Sequence, residues 1–383
     1  MLKRHSAIKT ILFSCIPAMA LLLSLELGCR IYFTVKYRSP HFLAFGFENR
    51  KATEKKEKIV VYDSVKHQTV SLPGDVVYYK SVPGIYDQRY GFKDFKVSIN
   101  RLGFRGKEFD AEKPAGVYRI FCLGGSTTEG LEVEDGKDYP SVLEKELNST
   151  ALSMKAEAIN AGYMGSSSRI LLDLLRNEVI KYTPDMIVFC EAFNDYHGID
   201  EIGPVARIFR SVPRLLTFLY NKCLLFAIVL EKRGLYSKKV YNKALMDKLL
   251  ADYSDNTRKM VSFAQGKGVA IILIEQGSYI KGYDMSFGKG LVQAIGKKIG
   301  SGVPVTRDEA YYYMHAATRD IIESIGTDMS VPVVDFHRAL SRYPPDEVFY
   351  DTAHLTEKGN EVIAGELAKE VRGHIQNTRS TGK

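Results

Sequence analysis

One stretch of the chain decides the fold, and it reads Tyr118-Arg119-Ile120-Phe121-Cys122-Leu123-Gly124-Gly125-Ser126-Thr127-Thr128-Glu129-Gly130. Its first six residues form a mostly apolar run of strand length. The two glycines allow the backbone to turn sharply as it leaves that strand. Ser126 would then start a helix with its hydroxyl exposed, although such a turn is also compatible with an ordinary loop.

This turn differs from two well-known turns that carry chemistry. A phosphate loop would end in Gly-Lys followed by Ser or Thr, and that ending is absent. The elbow of α/β-hydrolases requires Gly-x-Ser-x-Gly, whereas position 128 is Thr. The turn therefore has to be interpreted from the strands around it.

Four further apolar runs of strand length alternate with helical stretches. They are Ala158–Ala161, Met186–Ala192, Val269–Glu275 and Val331–Phe336. Strands that alternate with helices predict an α/β domain of three layers, α/β/α, in which helices cover both faces of a parallel sheet of about five strands. Residues 196–265 are too many for one crossover, so we expect a mostly helical insertion there.

Composition and charge exclude several classes of protein. The 383 residues are 45% hydrophobic and 26% charged, with five cysteines, which argues against a disordered chain, a multispanning membrane protein and a disulfide scaffold. The formal net charge is +8, but residues 1–60 hold 11 Lys/Arg and 4 Asp/Glu. Because the remaining body is nearly neutral, we expect no nucleic-acid partner.

A basic start followed by an apolar run indicates an N-terminal membrane anchor. Lys3, Arg4 and Lys9 precede the uncharged run Thr10–Leu25, which continues past a short stretch resembling a cleavage site. We expect an uncleaved transmembrane helix at about Ile8–Leu27, with a buried helix of a soluble protein as the alternative. Large downstream domains translocate largely regardless of flanking charge. The single-pass protein is therefore expected to expose its body on the non-cytoplasmic side, periplasmic or extracellular.

These patterns predict four parts of the chain. Residues 1–36 would hold a cytoplasmic tip and the anchor, and residues 37–110 a stalk with a small β-rich extension. Residues 111–377 would form the α/β domain with its helical insertion at about 196–265. Residues 378–383 would be a tail.

Two more strand ends carry groups that can donate hydrogen bonds. Asn160-Ala161-Gly162 ends the second strand, and Phe193-Asn194-Asp195 follows the third. Glycine lets a backbone N–H approach a ligand closely, and an asparagine side chain supplies an amide donor, although both residues also cap ordinary turns. Because the carboxyl ends of parallel strands share one edge, Ser126, Gly162 and Asn194 could aim three donors at one oxyanion.

An acid and a histidine stand close together near the C-terminus. In Phe349–Leu355, Asp351 precedes His354 by three residues. An aspartate at this spacing can bind the ring Nδ1 and leave Nε2 free to accept a proton from a serine, although such a pair can also be a helix cap or a surface contact. The other histidines show no metal-ligand spacing, so we expect no metal site.

Taken in chain order, these residues resemble the SGNH/GDSL hydrolases over about Tyr118–Val371. The residues that match the conserved blocks of that family are Ser126, Gly162, Asn194, Asp351 and His354. The family's Gly-Asp-Ser-Leu is replaced by Gly124–Thr127, and its Gly-x-Asn-Asp by Ala192–Asp195. The stretch Asn100–Gly106 also looks like the lead-in of membrane-anchored members.

The resemblance implies a flavodoxin-like SGNH fold and a mechanism without a cofactor. Ser126 would be the nucleophile, His354 the general base and Asp351 the residue that orients the base. The N–H groups of Ser126 and Gly162 and the amide of Asn194 would hold the oxyanion.

The function that follows from this resemblance is a membrane-anchored serine esterase. It would remove an acetyl or other short acyl group from a carbohydrate or lipid of the cell envelope. Two alternatives use the same fold. An O-acyltransferase would pass the acyl group to a sugar hydroxyl, and a non-catalytic protein would assemble the envelope or bind carbohydrate.

Overall fold

The computed structural model describes residues 20–28, 30–31, 67–90, 93–150, 154–197, 199 and 238–380. Most of the predicted anchor, the first part of the predicted stalk and the segment 201–237 of the predicted insertion lie outside these residues. The α/β domain lies in one compact unit, Tyr62–Arg89, Lys93–Asp200 and Tyr241–Lys383. Residues 20–28 and 30–31 belong to another unit and are helical.

Five parallel strands form the central sheet of the α/β unit. They are β5 (Val117–Gly124), β6 (Lys155–Gly162), β7 (Met186–Cys190), β9 (Ala270–Glu275) and β11 (Val333–Asp335). Their spatial order is β11-β9-β7-β5-β6, and every neighbouring pair is parallel. This is the flavodoxin-like order, in which the chain reverses direction across the sheet next to its first strand. The predicted parallel sheet of about five strands is confirmed.

Helices cover both faces of the sheet. They are α1 (Ser126–Glu129), α2 (Tyr139–Asn148), α3 (Ser168–Asn177), α4 (Phe193–Tyr196), α5 (Lys243–Gly266), α6 (Lys289–Gly300), α7 (Arg307–Met329), α8 (Phe336–Leu340), α9 (Pro345–Val348) and α10 (Glu357–Ser380), with a 3-10 turn at Val179–Tyr182. One hydrophobic core joins β5 to α3, α5 and α7, and a second joins the other face of the sheet to α2 and α10. Side chains on β5 therefore alternate between two cores, which explains why every residue of this strand is buried and why its side chains are apolar apart from Arg119.

Among the described residues, six shorter strands lie before the strands of this sheet, or between them, along the chain. They are β1 (His67–Leu72), β2 (Val76–Ser81), β3 (Gly84–Tyr90), β4 (Lys93–Ile99), β8 (Lys238–Lys239) and β10 (Val305–Thr306). β1 and β2 pair antiparallel, and β3 pairs with β4. In the segment that follows, Asn100 accepts hydrogen bonds from the N–H groups of Leu102 and Phe104 through its Oδ1. The resulting turn buries Phe104 against Phe121 and Tyr182.

No helix among the described residues is both long enough and apolar enough to cross a membrane. The helical stretch 20–28 contains five leucines that are exposed, namely Leu21, Leu22, Leu23, Leu25 and Leu27. These residues are the part of the predicted anchor that the structure describes.

Candidate active site

The turn that carries Ser126 contains two glycines that leave room for closely packed neighbours. A Cβ on Gly124 would collide with Thr128 Oγ1 and with the carbonyl oxygen of Cys190 on β7. A Cβ on Gly125 would collide with Glu191 Oε2 and with Asn194 Nδ2. The close approach of the β7 backbone therefore requires Gly124, a side chain at Gly125 would displace Glu191 or Asn194, and the chain enters α1 at Ser126, where the sequence predicts a helix start.

Ser126, His354 and Asp351 form a continuous hydrogen-bonded chain. Ser126 Oγ lies 2.8 Å from His354 Nε2, and His354 Nδ1 lies 2.9 Å from Asp351 Oδ2. The Asp351 Oδ1 atom accepts from the backbone N–H groups of Ala353 and His354, each at 3.0 Å. The carboxylate is therefore fixed before it contacts the ring, and the ring presents Nε2 to the serine.

The loop that carries His354 is anchored to two strand ends. Thr127 Oγ1 donates to the Ala353 carbonyl at 3.1 Å. The Thr352 carbonyl accepts from Ser278 Oγ at 3.0 Å and from the Tyr279 N–H at 2.8 Å. Because these contacts come from the ends of β5 and β9, they hold the histidine loop at the carboxyl edge of the sheet.

The N–H of Gly162 is already used, which corrects its predicted role. It donates to Asn160 Oδ1 at 3.0 Å, and the Gly162 Cα is pressed against the backbone of Glu129. The carboxamide of Asn160 in turn donates to the Thr128 carbonyl at 2.9 Å. Gly162 therefore helps to pack α1 onto β6, and its N–H is engaged by Asn160.

Asn194 reaches the nucleophile turn despite the alanine at position 192. Ala192 has φ −155°, which any L residue can adopt, so glycine is not required there. Asn194 Nδ2 donates to the Ser166 carbonyl at 3.0 Å and to Glu191 Oε2 at 3.2 Å. The side chain is thus oriented by a buried carboxyl group beside Gly125.

Ser166 belongs to a tight turn next to Asn194. The Ser166 N–H donates to the Tyr163 carbonyl at 3.1 Å, and Gly165 at the third position of this turn has φ +77°. A positive φ at this position is typical of a type II turn and favours glycine. Gly165 is exposed, and the residue after it, Ser166, contacts Asn194. A second glycine, absent from our sequence prediction, therefore lies close to the site.

Three buried residues that the sequence did not single out also belong to the site. Gln276 Nε2 donates to Thr127 Oγ1 at 3.0 Å, and its Oε1 accepts from the Ala192 N–H at 2.9 Å. Burial raises the pKa of Glu191 to about 8, and burial together with the charge of Asp351 raises the pKa of Glu132 to about 7, against the opposing effect of His354. No sequence pattern could reveal them, because an isolated Gln or Glu is ordinarily exposed.

A metal site has no support in the part of the chain that the structure describes. No group of three or more His, Cys, Asp or Glu side chains there could hold an ion. The arrangement of Ser126, His354 and Asp351 is instead suited to proton transfer from a hydroxyl group.

A serine hydroxyl bonded to a histidine at the carboxyl edge of such a sheet is typical of hydrolases that act on ester bonds, and the family comparison agrees. Residues 122–362, more than half of the chain, match the model of the GDSL-like lipase/acylhydrolase family, so the chain belongs to that family and is a hydrolase acting on ester bonds. No protein in a search of curated proteins matches it significantly.

Solved structures similar to this chain include three from bacterial or environmental sources. A lipase/acylhydrolase from Enterococcus faecalis shares 18% identity with a TM-score of 0.41, covering 67% of this chain and 96% of its own. An acetylxylan esterase from Geobacillus stearothermophilus shares 15% identity with a TM-score of 0.42, covering 66% and 94%. An α/β hydrolase enzyme from the metagenome of Lake Arreo shares 15% identity with a TM-score of 0.41, covering 65% and 93%.

Proposed function

We propose that the protein is a serine esterase that removes an acetyl or other short acyl group from a carbohydrate or lipid of the cell envelope. One observation carries the choice of a serine nucleophile, the 2.8 Å distance between Ser126 Oγ and His354 Nε2. His354 takes the hydroxyl proton as Ser126 Oγ bonds to the ester carbonyl carbon, and then returns the proton to the leaving alcohol. Water then attacks the acyl carbon while His354 takes one of its protons. The bond to Ser126 Oγ breaks, His354 returns the proton to Oγ, and the free acid leaves.

The negative charge on the carbonyl oxygen requires hydrogen-bond donors beside the serine. We assign the Ser126 N–H and the Asn194 amide to this role. The Asn194 amide would turn the N–H that it now donates to Glu191 toward the substrate. As the third oxyanion donor we propose the N–H of Gly165 in place of that of Gly162. Gly165 is exposed, and the carbonyl of its neighbour Ser166 accepts a hydrogen bond from Asn194.

The chemistry is tested by substituting the nucleophile. Ser126→Ala is expected to remove nearly all ester hydrolysis and all labelling by a fluorophosphonate probe, because no other group supplies the attacking oxygen. Asn194→Ala is expected to lower kcat by about 10² to 10³, the usual effect of one oxyanion donor. Ser149→Ala at the exposed end of α2 is the control. Wild-type rates in Ser126→Ala would contradict the mechanism.

The acyl group and the alcohol are tested with a panel of substrates. Acetylated glycans and acyl esters of graded chain length are incubated with the enzyme, with and without sugar acceptors. Release of free acid supports an esterase, whereas a product that forms only with an acceptor would identify an acyltransferase.

We also propose that the chain is anchored in a membrane by about Ile8–Leu27, with its body on the non-cytoplasmic side. The basic residues before the apolar run and the exposed leucines at 21–27 support this proposal. The protein is expected to fractionate with membranes, to retain its N-terminal residues and to be cut by protease added from outside. A chain that is released freely, or that begins near Leu21, would contradict it.

A further inference from the structure

A second buried carboxyl group lies beside the imidazole of His354. Glu132 Oε1 is 3.3 Å from His354 Nδ1, the same nitrogen that lies 2.9 Å from Asp351 Oδ2. The Glu132 side chain is 1% exposed, and Oε1 has no hydrogen-bond partner among the described residues. A buried carboxyl oxygen without a hydrogen bond is costly, so its position against the imidazole calls for an explanation.

The groups around Glu132 give that explanation. Asp351, Glu129 and His354 are the titratable neighbours that act on its carboxyl group, and Glu132 in turn acts on the hydroxyl of Tyr350. Among these neighbours only the imidazole can become positively charged. An ionised Glu132 is therefore stabilised most when His354 is protonated, which is its state while the serine attacks.

We propose that Glu132 is a positioning residue that acts with Asp351 to stabilise the imidazolium form of His354. The inference rests on the proposed function, since the imidazolium forms when the Ser126 proton moves to Nε2. Asp351 holds the Nδ1 proton through the shorter contact, and Glu132 adds negative charge at slightly greater distance. Glu132 exchanges no proton with the substrate, so the proton taken from Ser126 still leaves on the alcohol.

The two groups must titrate together, because each alters the charge next to the other. Burial raises the pKa of Glu132 to about 7, and the positive charge of His354 opposes that rise. The carboxyl group is therefore neutral in acid and becomes ionised near neutral pH. Once ionised, it favours protonated His354 and raises the pKa of the imidazole. Removing the carboxyl group should then lower the His354 pKa.

A titration that needs no turnover tests this contact directly. The full chain carrying Ser126→Ala is labelled with ¹⁵N-histidine, and the His354 pKa is measured with and without Glu132→Gln. An opposite charge at this distance shifts a pKa by about 1 to 3 units, so a fall of about one unit is expected. An unchanged His354 pKa would overturn the proposal.

The reciprocal measurement covers the case in which Glu132→Gln does not fold. In His354→Gln, the carboxyl group of Glu132 loses its only positively charged neighbour among these groups. Its pKa, followed by ¹³C labelling of glutamate side chains, should rise further above its value in the native chain. A Glu132 pKa that does not respond to His354→Gln would also overturn the proposal.

Kinetics separate this proposal from the proposed function. The rate of fluorophosphonate labelling is measured against pH for wild type, Glu132→Gln and the control Glu134→Gln, whose side chain is exposed two residues away. Glu132→Gln should react about tenfold more slowly on the plateau, equivalent to one pKa unit, with its acid limb at lower pH. The control should match wild type in rate and in the position of the limb.

Each failure has its own signature. If wild-type Ser126 reacts with neither esters nor the probe, the proposed function fails, and the two titrations still decide whether Glu132 and His354 are coupled. If Ser126 reacts and Glu132→Gln matches wild type in rate and pH limb, the role of Glu132 is refuted while the esterase stands.

Discussion

At the scale of single residues, the site depends on a backbone that passes very close to its neighbours. Gly125 lies between the carboxyl group of Glu191 and the amide of Asn194, with no room for a methyl group. The same crowding keeps Asn194 in place, because its amide bonds the Ser166 carbonyl on one side and Glu191 on the other. The absence of a side chain at Gly125 is therefore part of how the Asn194 amide, the proposed oxyanion donor, is positioned.

Gly125→Ala should lower kcat/KM by about 10² or more, because the new methyl group displaces the Asn194 donor. Steady-state kinetics on a short acyl ester measure the effect. Gly365→Ala is the control, since its Cβ meets no atom within 4 Å. In the interior of α10 it should leave activity unchanged and add about 1 kcal/mol to the free energy of unfolding. Full activity in Gly125→Ala would show that the turn tolerates a side chain.

The sequence predicted only part of this site. Ser126, Asp351 and His354 could be selected because each stands in a turn where polar chemistry is expected. Gly162 was selected on the same grounds, but its N–H is taken by Asn160, a contact that depends on how α1 packs onto β6. The burial of Glu132 is likewise decided by tertiary packing, so its position in the sequence contains no signal for it.

At the scale of elements, α1 is too short to be stable by itself. A single helical turn forms too few hydrogen bonds to offset the entropy cost of helix nucleation. Other elements supply the missing contacts. Arg105 Nη1 donates to the Glu129 carbonyl and Nη2 to the Val133 carbonyl, both at 2.6 Å, and Asn160 bonds the Thr128 carbonyl. The segment before the sheet therefore holds the helix that begins with Ser126, the proposed nucleophile.

Arg105→Lys should destabilise the protein and reduce its activity. The side chain of Arg105 is 1% exposed, and a lysine nitrogen cannot satisfy carbonyl groups that the guanidinium reaches with two nitrogens. Each carbonyl left without a partner costs about 1 to 3 kcal/mol. Urea unfolding should show a loss in this range, together with a lower kcat.

The matched control is Arg101→Lys, in the same segment, with its side chain 59% exposed. It should change the free energy of unfolding by less than about 0.5 kcal/mol. Equal effects of the two substitutions would mean that Arg105 does not support α1.

The strands were predictable because each is a continuous apolar run, but their ends were not. Met186–Ala192 was predicted, whereas β7 ends at Cys190. The chain leaves the strand there because Glu191 Oε1 accepts from the N–H groups of Ala192 and Asn194, which turns the backbone. β11 is likewise shorter than the predicted Val331–Phe336, because Asp335 accepts from the Arg338 N–H and starts α8.

At the scale of the whole molecule, the core buries several carboxyl groups. Burial raises the pKa of Glu191 to about 8 and that of Asp195 to about 6. Both pKa values exceed the ordinary values of these residues. Between the ordinary and the raised pKa, the folded state therefore keeps protons that the unfolded state has lost. The stability that these groups contribute is fully present below about pH 4 and is lost as pH rises through the folded pKa values.

Buried histidines act in the opposite direction, but over a different range. Burial lowers the pKa of His337 to about 4 and lowers that of His315 as well. Their contribution is complete above the ordinary pKa of about 6.5 and is lost in acid. Among these groups, the carboxyl groups therefore dominate the slope above about pH 6.5.

Stability should therefore fall between about pH 6.5 and pH 8.5. The free energy of unfolding falls by about 1.4 kcal/mol for each pH unit between pH 6.5 and the folded-state pKa of a carboxyl group. Urea midpoints at the two pH values measure it. Glu191→Gln should make the midpoint less dependent on pH, because its group no longer ionises. A midpoint that rises with pH over this range would contradict the buried, protonated state of Glu191.

Ser126 and His354, the proposed nucleophile and base, are 228 positions apart in the chain. The histidine loop is fixed by Thr127 in α1 and by Ser278 in the segment after β9, which are far apart in the chain. Translation therefore produces Ser126 well before His354. If the proposed mechanism holds, a nascent chain, or a fragment cut by a protease before position 354, would lack the base that activates the serine. On the proposed mechanism, completed folding would be the step that switches on ester hydrolysis, because it brings His354 to Ser126.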